Sequence, residues 1–192
     1  MKAETPPDAE VVASVLGGQS EHFAILVDRH QDSLFRHALT LGLDPDAAAD
    51  MVQDSLVRAW EALAECRDPA RFRIWVGRIL RNRCLDHLKR ASTRKSTSLH
   101  TLVTDVRGLE DDRSPHPEGD FARREVQAAL DDALRELPAE QAEAFLLKHV
   151  EGHSYGEMAD LTGASISALK MRVHRARDTI RASLEARGIQ SM

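Results

Sequence analysis

Residues 91–120, ASTRKSTSLHTLVTDVRGLEDDRSPHPEGD, constrain the fold more than any other part of this 192-residue chain. The run is rich in Ser, Thr, Asp, Pro and Gly and has few large apolar side chains, so it can bury little against a core. A structureless stretch of that length does not belong inside a compact domain. It reads as a tether between two domains. The expected division is a domain over residues 1–92, a flexible acidic linker over 93–120, and a second domain over 121–192.

On both sides of the tether the apolar residues recur at helical spacing, and no run sustains strand alternation. From Glu21 the pattern is Phe23, Ile25, Leu26, Leu34, Phe35, Ala38, Leu39 and Leu41. Leu43-Asp44-Pro45-Asp46 then breaks and restarts the chain, with Asp44 as N-cap and Pro45 at the first helical position. The next helix carries Met51, Val52, Leu56, Val57, Trp60 and Leu63 on one broad face. A second break at Arg67-Asp68-Pro69 leads into a third long helix from about Phe72 to Arg90. Patterning resumes near Phe121 with Val126, Leu130, Leu134 and Leu137, breaks at Pro138, and continues through Glu140–Val150, a turn at Glu151-Gly152-His153, and two further helices. The expected fold class is all-α: two small helical domains, an N-terminal bundle and a C-terminal helix-turn-helix unit. An aromatic content of 4 % argues against an aromatic-rich β-sandwich.

The net charge of −5 conceals a block structure. Residues 1–66 carry a balance of −8, residues 67–95 of +8, residues 96–169 of −9 and residues 170–187 of +4. Basic blocks suit polyanions, because each neutralised phosphate releases condensed counterions. A solvated helix face explains any one such run equally well. Two runs, each attached to an acidic segment, point to a chain that touches nucleic acid twice and a basic protein surface with its acidic parts.

Ser154 through Arg177 has the layout of a helix-turn-helix. Ser154 and Glu157 form a capping-box pair, Ala159 is small where two helices approach, Gly163 suits a left-handed turn and Ser165 suits a second cap. On the second helix Ile166, Leu169, Val173, Ala176 and Ile180 fall on one side. The other side shows Ser167, Ala168, Met171, His174 and Arg175, flanked by Lys170 and Arg172, a face suited to the major groove. An ordinary α-hairpin with a solvated Arg-rich face is the other reading. The helix from Phe72 to Arg90 interleaves basic and apolar residues, which fits either phosphate binding or a helix packed on two sides.

Ala49–Asp54 with Arg58-Ala59-Trp60, then Phe72–Arg90, then Leu137-Pro138 through Arg177, resemble bacterial sigma factors of the extracytoplasmic-function class. The resemblance covers the two sigma regions called two and four, over roughly residues 10–92 and 121–187. It implies a region-two-like helical bundle and a region-four-like helix-turn-helix domain. It also implies that Asp50, Gln53, Asp54 and Arg58 bind core RNA polymerase at its β′ clamp helices, where carboxylates would meet a basic surface, with a further contact to the β-subunit flap. In the −10 element, the loop Arg67–Arg73, with Arg67 and Arg71, would lie beside a base extruded from the stack. Arg78, Arg81, Lys89 and Arg90 would hold phosphates, and Asn82 falls at a family position associated with the non-template strand. Ser167, Lys170, Met171, Arg172, His174, Arg175 and Arg177 would meet the −35 element. The linker, acidic around Glu110-Asp111-Asp112, would thread toward the RNA exit path, and an anti-sigma factor would cover the polymerase-binding surfaces. Ala49 stands where the family commonly has an acidic residue, and Cys66 where a larger aromatic one is frequent.

The remaining chemistry is sparse. No Walker loop, GxSxG elbow or paired His and Cys motif occurs, so an enzyme is not expected. His149 and His153 have i,i+4 spacing, but Glu151-Gly152 breaks the helix between them and no third ligand lies nearby, so neither a metal site nor a cofactor is expected. Two isolated cysteines, the lack of a signal-peptide pattern, and no apolar run near the roughly 18 residues of a membrane span point to a cytoplasmic protein without membrane insertion. Two rival readings stand beside a sigma factor: a polymerase-independent helix-turn-helix regulator, and a helical adaptor that binds only proteins.

Overall fold

In the computed structural model of the protein, residues 6–94, 129–130, 132–134 and 136–189 are described. Among them every regular element is helical. The first half is built from α1 (Asp8–Leu16), α2 (Phe23–Thr40), α3 (Pro45–Glu61) and α4 (Phe72–Arg94). The Asp8 carboxylate ties α1 to α2 by pairing with Arg29 and accepting from His30 Nε2 at 2.9 Å. Leu43 is buried as the chain turns into α3, where the Ala47 N–H donates to Asp44 Oδ1 at 2.8 Å and Pro45 occupies the first turn. That cap satisfies one of the donors a helix start leaves orphaned. Two short 3₁₀ turns, Leu63–Glu65 and Pro69–Arg71, lead from α3 into α4.

The spacing of α4 explains its mixed sequence. Phe72, Val76, Leu80 and Cys84 follow one another at i,i+4, are all fully buried, and face the core shared with α2 and α3. Ile74 points elsewhere: it is buried in a second cluster with Ala144, Leu147, Met158, Leu161, Leu169 and Val173. The helix is thus packed on two sides, with its arginines between the two seams.

In the second half, residues 129–130 and 132–134 are helical and precede α5 (Ala139–Phe145). Sequence reasoning expects one helix over 140–150; instead α5 gives way to a wider π turn at Leu146–Val150, in which the Glu151 N–H donates to the Leu146 carbonyl at 3.0 Å. Gly152, at φ 72°, then turns the chain into α6 (Tyr155–Thr162) and α7 (Ile166–Ala186). A third cluster of Ala133, Leu137, Ala142, Ala176 and Ile180 holds α7 to the segment around Pro138.

Three expected core positions are corrected. Val57 is 52 % exposed, Trp60 41 % and Ile166 46 %. The α3 stripe is narrower than its composition suggests, because Val52, Leu56 and Ala59 already fill the contact with the neighbouring helices. Ile166 sits in the first turn of α7, ahead of Leu169 where the buried side begins. The expected linker over 93–120 lies outside the described residues, apart from Thr93 and Arg94 at the end of α4, and so do Glu110, Asp111 and Asp112.

Candidate nucleic-acid and polymerase interfaces

The helix-turn-helix forms as its sequence dictates. The Glu157 N–H donates to Ser154 Oγ at 3.2 Å, and the Ser154 N–H donates to Glu157 Oε2 at 2.7 Å, closing a capping box. That backbone hydrogen bond holds the Glu157 carboxyl below its ordinary range. Gly163 takes the left-handed conformation, φ 74°, that ends α6, and Ser165 caps α7 by accepting from the Ala168 N–H at 3.2 Å. Behind α7 lie buried Leu169, Val173, Ala176 and Ile180. In front, Ser167, Lys170, Met171, His174, Arg175 and Arg177 are exposed. Arg172 is half-buried and bound to Glu140 at 2.5 Å, while His174 pairs with Asp178 at 2.7 Å. The Lys170 ammonium lies 5.8 Å from the Tyr155 ring centroid.

On α3, Asp50, Gln53, Asp54 and Arg58 are all exposed on one side. Asp54 accepts from Arg83 of α4 at 2.5 Å, and Arg58 reaches Glu61 at 3.5 Å. Beside them a groove of 570 Å³ runs between α2 and α3, lined by apolar Phe23, Val27, Phe35, Val52, Leu56 and Trp60 and edged by Asp32 and Gln53. The Phe23 and Trp60 rings meet edge-to-face, with centroids 5.1 Å apart. The exposure of Val57 and Trp60 thus leaves an apolar patch next to the acidic residues of α3.

The arginines around α4 divide into two groups. Arg67, Asn82, Lys89 and Arg90 are exposed, with Lys89 lying 3.8 Å from Asp86. Arg71 and Arg78, which are exposed as well, and half-buried Arg81 are bonded to the second half of the chain. Arg71 Nη2 donates to Asp160 Oδ2 at 2.6 Å, Arg78 Nε to the Asp160 carbonyl at 2.9 Å, and Arg81 Nε to Glu143 Oε1 at 2.7 Å. Arg73, at the end of the loop that the resemblance puts beside the extruded base, donates to the Glu151 carbonyl and to His153 Nδ1, each at 3.0 Å. The structure therefore does not present the expected −10 residues as one free surface.

Glu143, at 2 % exposed, is the most buried carboxylate of this junction. Burial alone would raise its pKa, but His37 Nε2 donates to Oε1 at 3.0 Å and Arg81 engages both oxygens, so the carboxyl is held below its ordinary range. His153, 3 % exposed, is lowered to about 4 by burial and by the Arg73 charge. The sequence marks His153 only through its spacing from His149 and does not mark Glu143 at all, because their partners here lie 80 and 106 residues away in the chain. The nearest signal is Gly77, a glycine in the interior of a helix.

His149 is exposed and stacks on Phe145, with centroids 4.8 Å apart, while His153 faces Arg73. Among the described residues no group of three metal-ligating side chains comes together. Cys66 and Cys84 are free and buried, and burial pushes the Cys84 thiol up to about 12. No helix among the described residues is long and apolar enough to cross a membrane.

Comparison with known proteins places these surfaces in a family. The model for Sigma-70 region 2 matches residues 26–94, and that for Sigma-70, region 4, matches residues 127–180. The chain is 31 % identical to the RNA polymerase sigma factor CnrH of Cupriavidus metallidurans over 186 residues, 94 % of this chain and 97 % of that one. A solved structure of CnrH in complex with the cytosolic domain of CnrY is similar with a TM-score of 0.64 at 29 % identity, covering 93 % of this chain and 97 % of that one. A second, of the sigma factor RpoE in complex with the anti-sigma factor NepR from Bartonella quintana, has a TM-score of 0.63 at 25 % identity, covering 85 % and 96 %. With region 2 on α2 to α4, region 4 on the helix-turn-helix, and this likeness along nearly the whole chain, the protein belongs to the extracytoplasmic-function class of RNA polymerase sigma factors.

Proposed function

We propose the following division of labour for this sigma factor. The exposed side of α3, with Asp50, Gln53, Asp54 and Arg58, docks on the β′ clamp helices of core RNA polymerase, and the adjoining apolar groove receives part of that contact. Charged residues at such a rim steer encounter and fix register, and the groove supplies buried area. The C-terminal domain contacts the β flap. Arg67, Arg71, Arg78, Arg81, Asn82, Lys89 and Arg90 engage the −10 element, with the arginines and Lys89 on phosphates and Asn82 on the non-template strand. Ser167, Lys170, Met171, Arg172, His174, Arg175 and Arg177 form the −35 surface, where Arg175 and Met171 face base edges and Arg172 and Arg177 the backbone. The domains are residues 1–92 and 121–192 with the tether between them, and the protein works in the cytoplasm under an anti-sigma partner. The last point is supported by the solved relatives, one bound to a partner's cytosolic domain and one to an anti-sigma factor.

The observation that carries this reading is α7: its apolar side is buried and its basic side is exposed, on a capped helix that follows a left-handed glycine. The adaptor reading gives no reason for that face. The test is equilibrium competition for core polymerase between the wild-type chain and the Asp50→Lys, Gln53→Lys double variant. Weaker competition by about tenfold or more, with unchanged helix content, is the expected result for reversed charge at a steering rim. Equal competition would remove α3 from the polymerase interface.

A further inference from the structure

One acidic side chain on α7 has no place in that division of labour. Between Ile166 and Leu184 the helix carries Lys170, Arg172, Arg175, Arg177 and Arg181, and a single carboxylate, Asp178. Asp178 follows Ser167, Met171 and His174 at i+11, i+7 and i+4. At 100° per residue it falls in the middle of the face those three share, opposite buried Leu169, Val173, Ala176 and Ile180. A carboxylate there would stand toward DNA phosphates and be repelled by them. Neither ordinary use of a helical carboxylate explains it. The helix dipole acts within the first and last turns, and Asp178 lies twelve residues past Ile166 in a helix that runs on to Ala186. An exposed ion pair at i,i+4 contributes little to stability, and here Asp178 is 51 % exposed and its partner His174 60 %.

We propose that Asp178 is a positioning residue for base readout: it fixes His174 as a hydrogen-bond acceptor, and so sets its target as the exocyclic amino group of an adenine or cytosine in the upstream element. The inference rests on the reading that α7 faces the −35 element. His174 Nδ1 lies 2.7 Å from Asp178 Oδ2. An ionised carboxylate only accepts, so Nδ1 is the donor and carries the ring proton. In the neutral ring Nε2 is then left with a lone pair and no proton. It can accept a hydrogen bond and cannot give one. The donors that base edges present in the major groove are adenine N6 and cytosine N4, whereas guanine and thymine present the acceptors O6 and O4 there. A ring held in this way separates A and C from G and T on one strand.

Without the carboxylate the ring loses that selectivity. A neutral imidazole with no partner at Nδ1 carries its proton on either nitrogen, so Nε2 serves amino groups and carbonyls alike. In the pair, tautomer and ring orientation are both set before DNA arrives, as a carboxylate sets them for a histidine that binds metal. The same carboxylate repels the phosphates, so the pair favours specificity over affinity. These two consequences have opposite signs, which separates positioning from a structural role. Removing Asp178 should flatten the preference at one base pair and leave total binding undiminished. Removing a merely solvated carboxylate would leave every preference as it was, and loosening the helix would weaken all of them together.

The experiment uses the full chain with core RNA polymerase, buffered at about pH 8 to keep histidine neutral. The probe is a pool of templates built on one promoter that the chain directs, randomised over the upstream element, each carrying a transcribed barcode. Sequencing the transcripts gives the base preference at every randomised position for the wild type and for His174→Ala, Asp178→Ala and Asp178→Asn. His174→Ala marks the position that the ring reads. There the wild type is expected to favour A and C over G and T on one strand by about fivefold, the low end of what a base contact discriminates. Asp178→Ala should remove most of that ratio, change no other position and leave total transcription undiminished. Asp178→Asn, whose amide oxygen still accepts from Nδ1, should keep the ratio. A wild-type preference for G or T at that position overturns the acceptor assignment. A preference that survives Asp178→Ala, or that is lost as fully in Asp178→Asn, overturns the positioning role while the −35 reading of α7 stands. No change at any position with His174→Ala overturns the proposal outright, and Arg175→Ala on the same pool then decides whether α7 reads the element at all.

Discussion

Acidification should weaken the junction between the two halves, and His153 sets the size of the effect. Its Nδ1 accepts from Arg73 Nη2 at 3.0 Å, and a guanidinium can only donate, so this nitrogen must be unprotonated. Protonation would break that hydrogen bond and place a second positive charge against the arginine in a site 3 % exposed. Burial and the Arg73 charge bring the pKa from 6.5 to about 4, against weaker opposing pulls from Glu157 and Glu151. The unfolded chain therefore binds the proton more readily than the folded one. Stability is intact above the unfolded value and falls as pH drops from there toward 4. The full loss is about 3 kcal/mol at 1.36 kcal/mol per pKa unit, and about 2 kcal/mol of it is reached at about pH 5. For a chain of this size that corresponds to about 4–8 °C in Tm. The assay is thermal unfolding followed by circular dichroism between about pH 7.5 and pH 5, for the wild type and for His153→Gln, whose amide oxygen can still accept from Arg73. The variant should lose less stability than the wild type by about that amount. Parallel losses in the two proteins would refute the reasoning.

Three further outcomes follow from named contacts. Ser154→Ala removes one arm of the capping box and should lower the stability of the second half by about 1 kcal/mol, measured by chemical denaturation. Leu80→Ala opens a cavity in the core between α2, α3 and α4 at a fully buried position and should cost about 2–5 kcal/mol in the same assay. Arg175→Ala should reduce transcription from a dependent promoter and relax preference at one −35 position by about 1–3 kcal/mol, whereas Arg177→Ala should weaken binding evenly across sequences and flatten its salt dependence.

Much of the fold was legible because its signals are local. The Asp44-Pro45 start of α3, the Ser154–Glu157 capping box, Gly163 and the Ser165 cap are all set by residues within four positions of one another, and each stands where the sequence puts it. The buried side of α7 from Leu169 to Ile180 follows from its period alone. Val57, Trp60 and Ile166 were misplaced because a hydrophobic stripe shows which residues can be buried, not how wide a neighbour is available to cover them. The junction of Glu143, His153 and the α4 arginines was not legible at all. It depends on partners drawn from helices on opposite sides of the tether, and an arginine waiting for a phosphate reads the same in sequence as one already bound to a carboxylate. Gly77 carried a trace of it, since a helix accepts an interior glycine where another element must come close.

The central claim is that this chain confers promoter choice on core RNA polymerase through two separate DNA-reading surfaces. Run-off transcription from a genomic fragment library, with core polymerase in the presence and absence of the protein, tests it most directly. The account predicts new, protein-dependent start sites that share two spaced upstream elements, lost with Arg175→Ala for the upstream one and with Asn82→Ala for the downstream one. No new starts, with the protein alone retaining specific fragments, would contradict it and leave an autonomous helix-turn-helix regulator in its place.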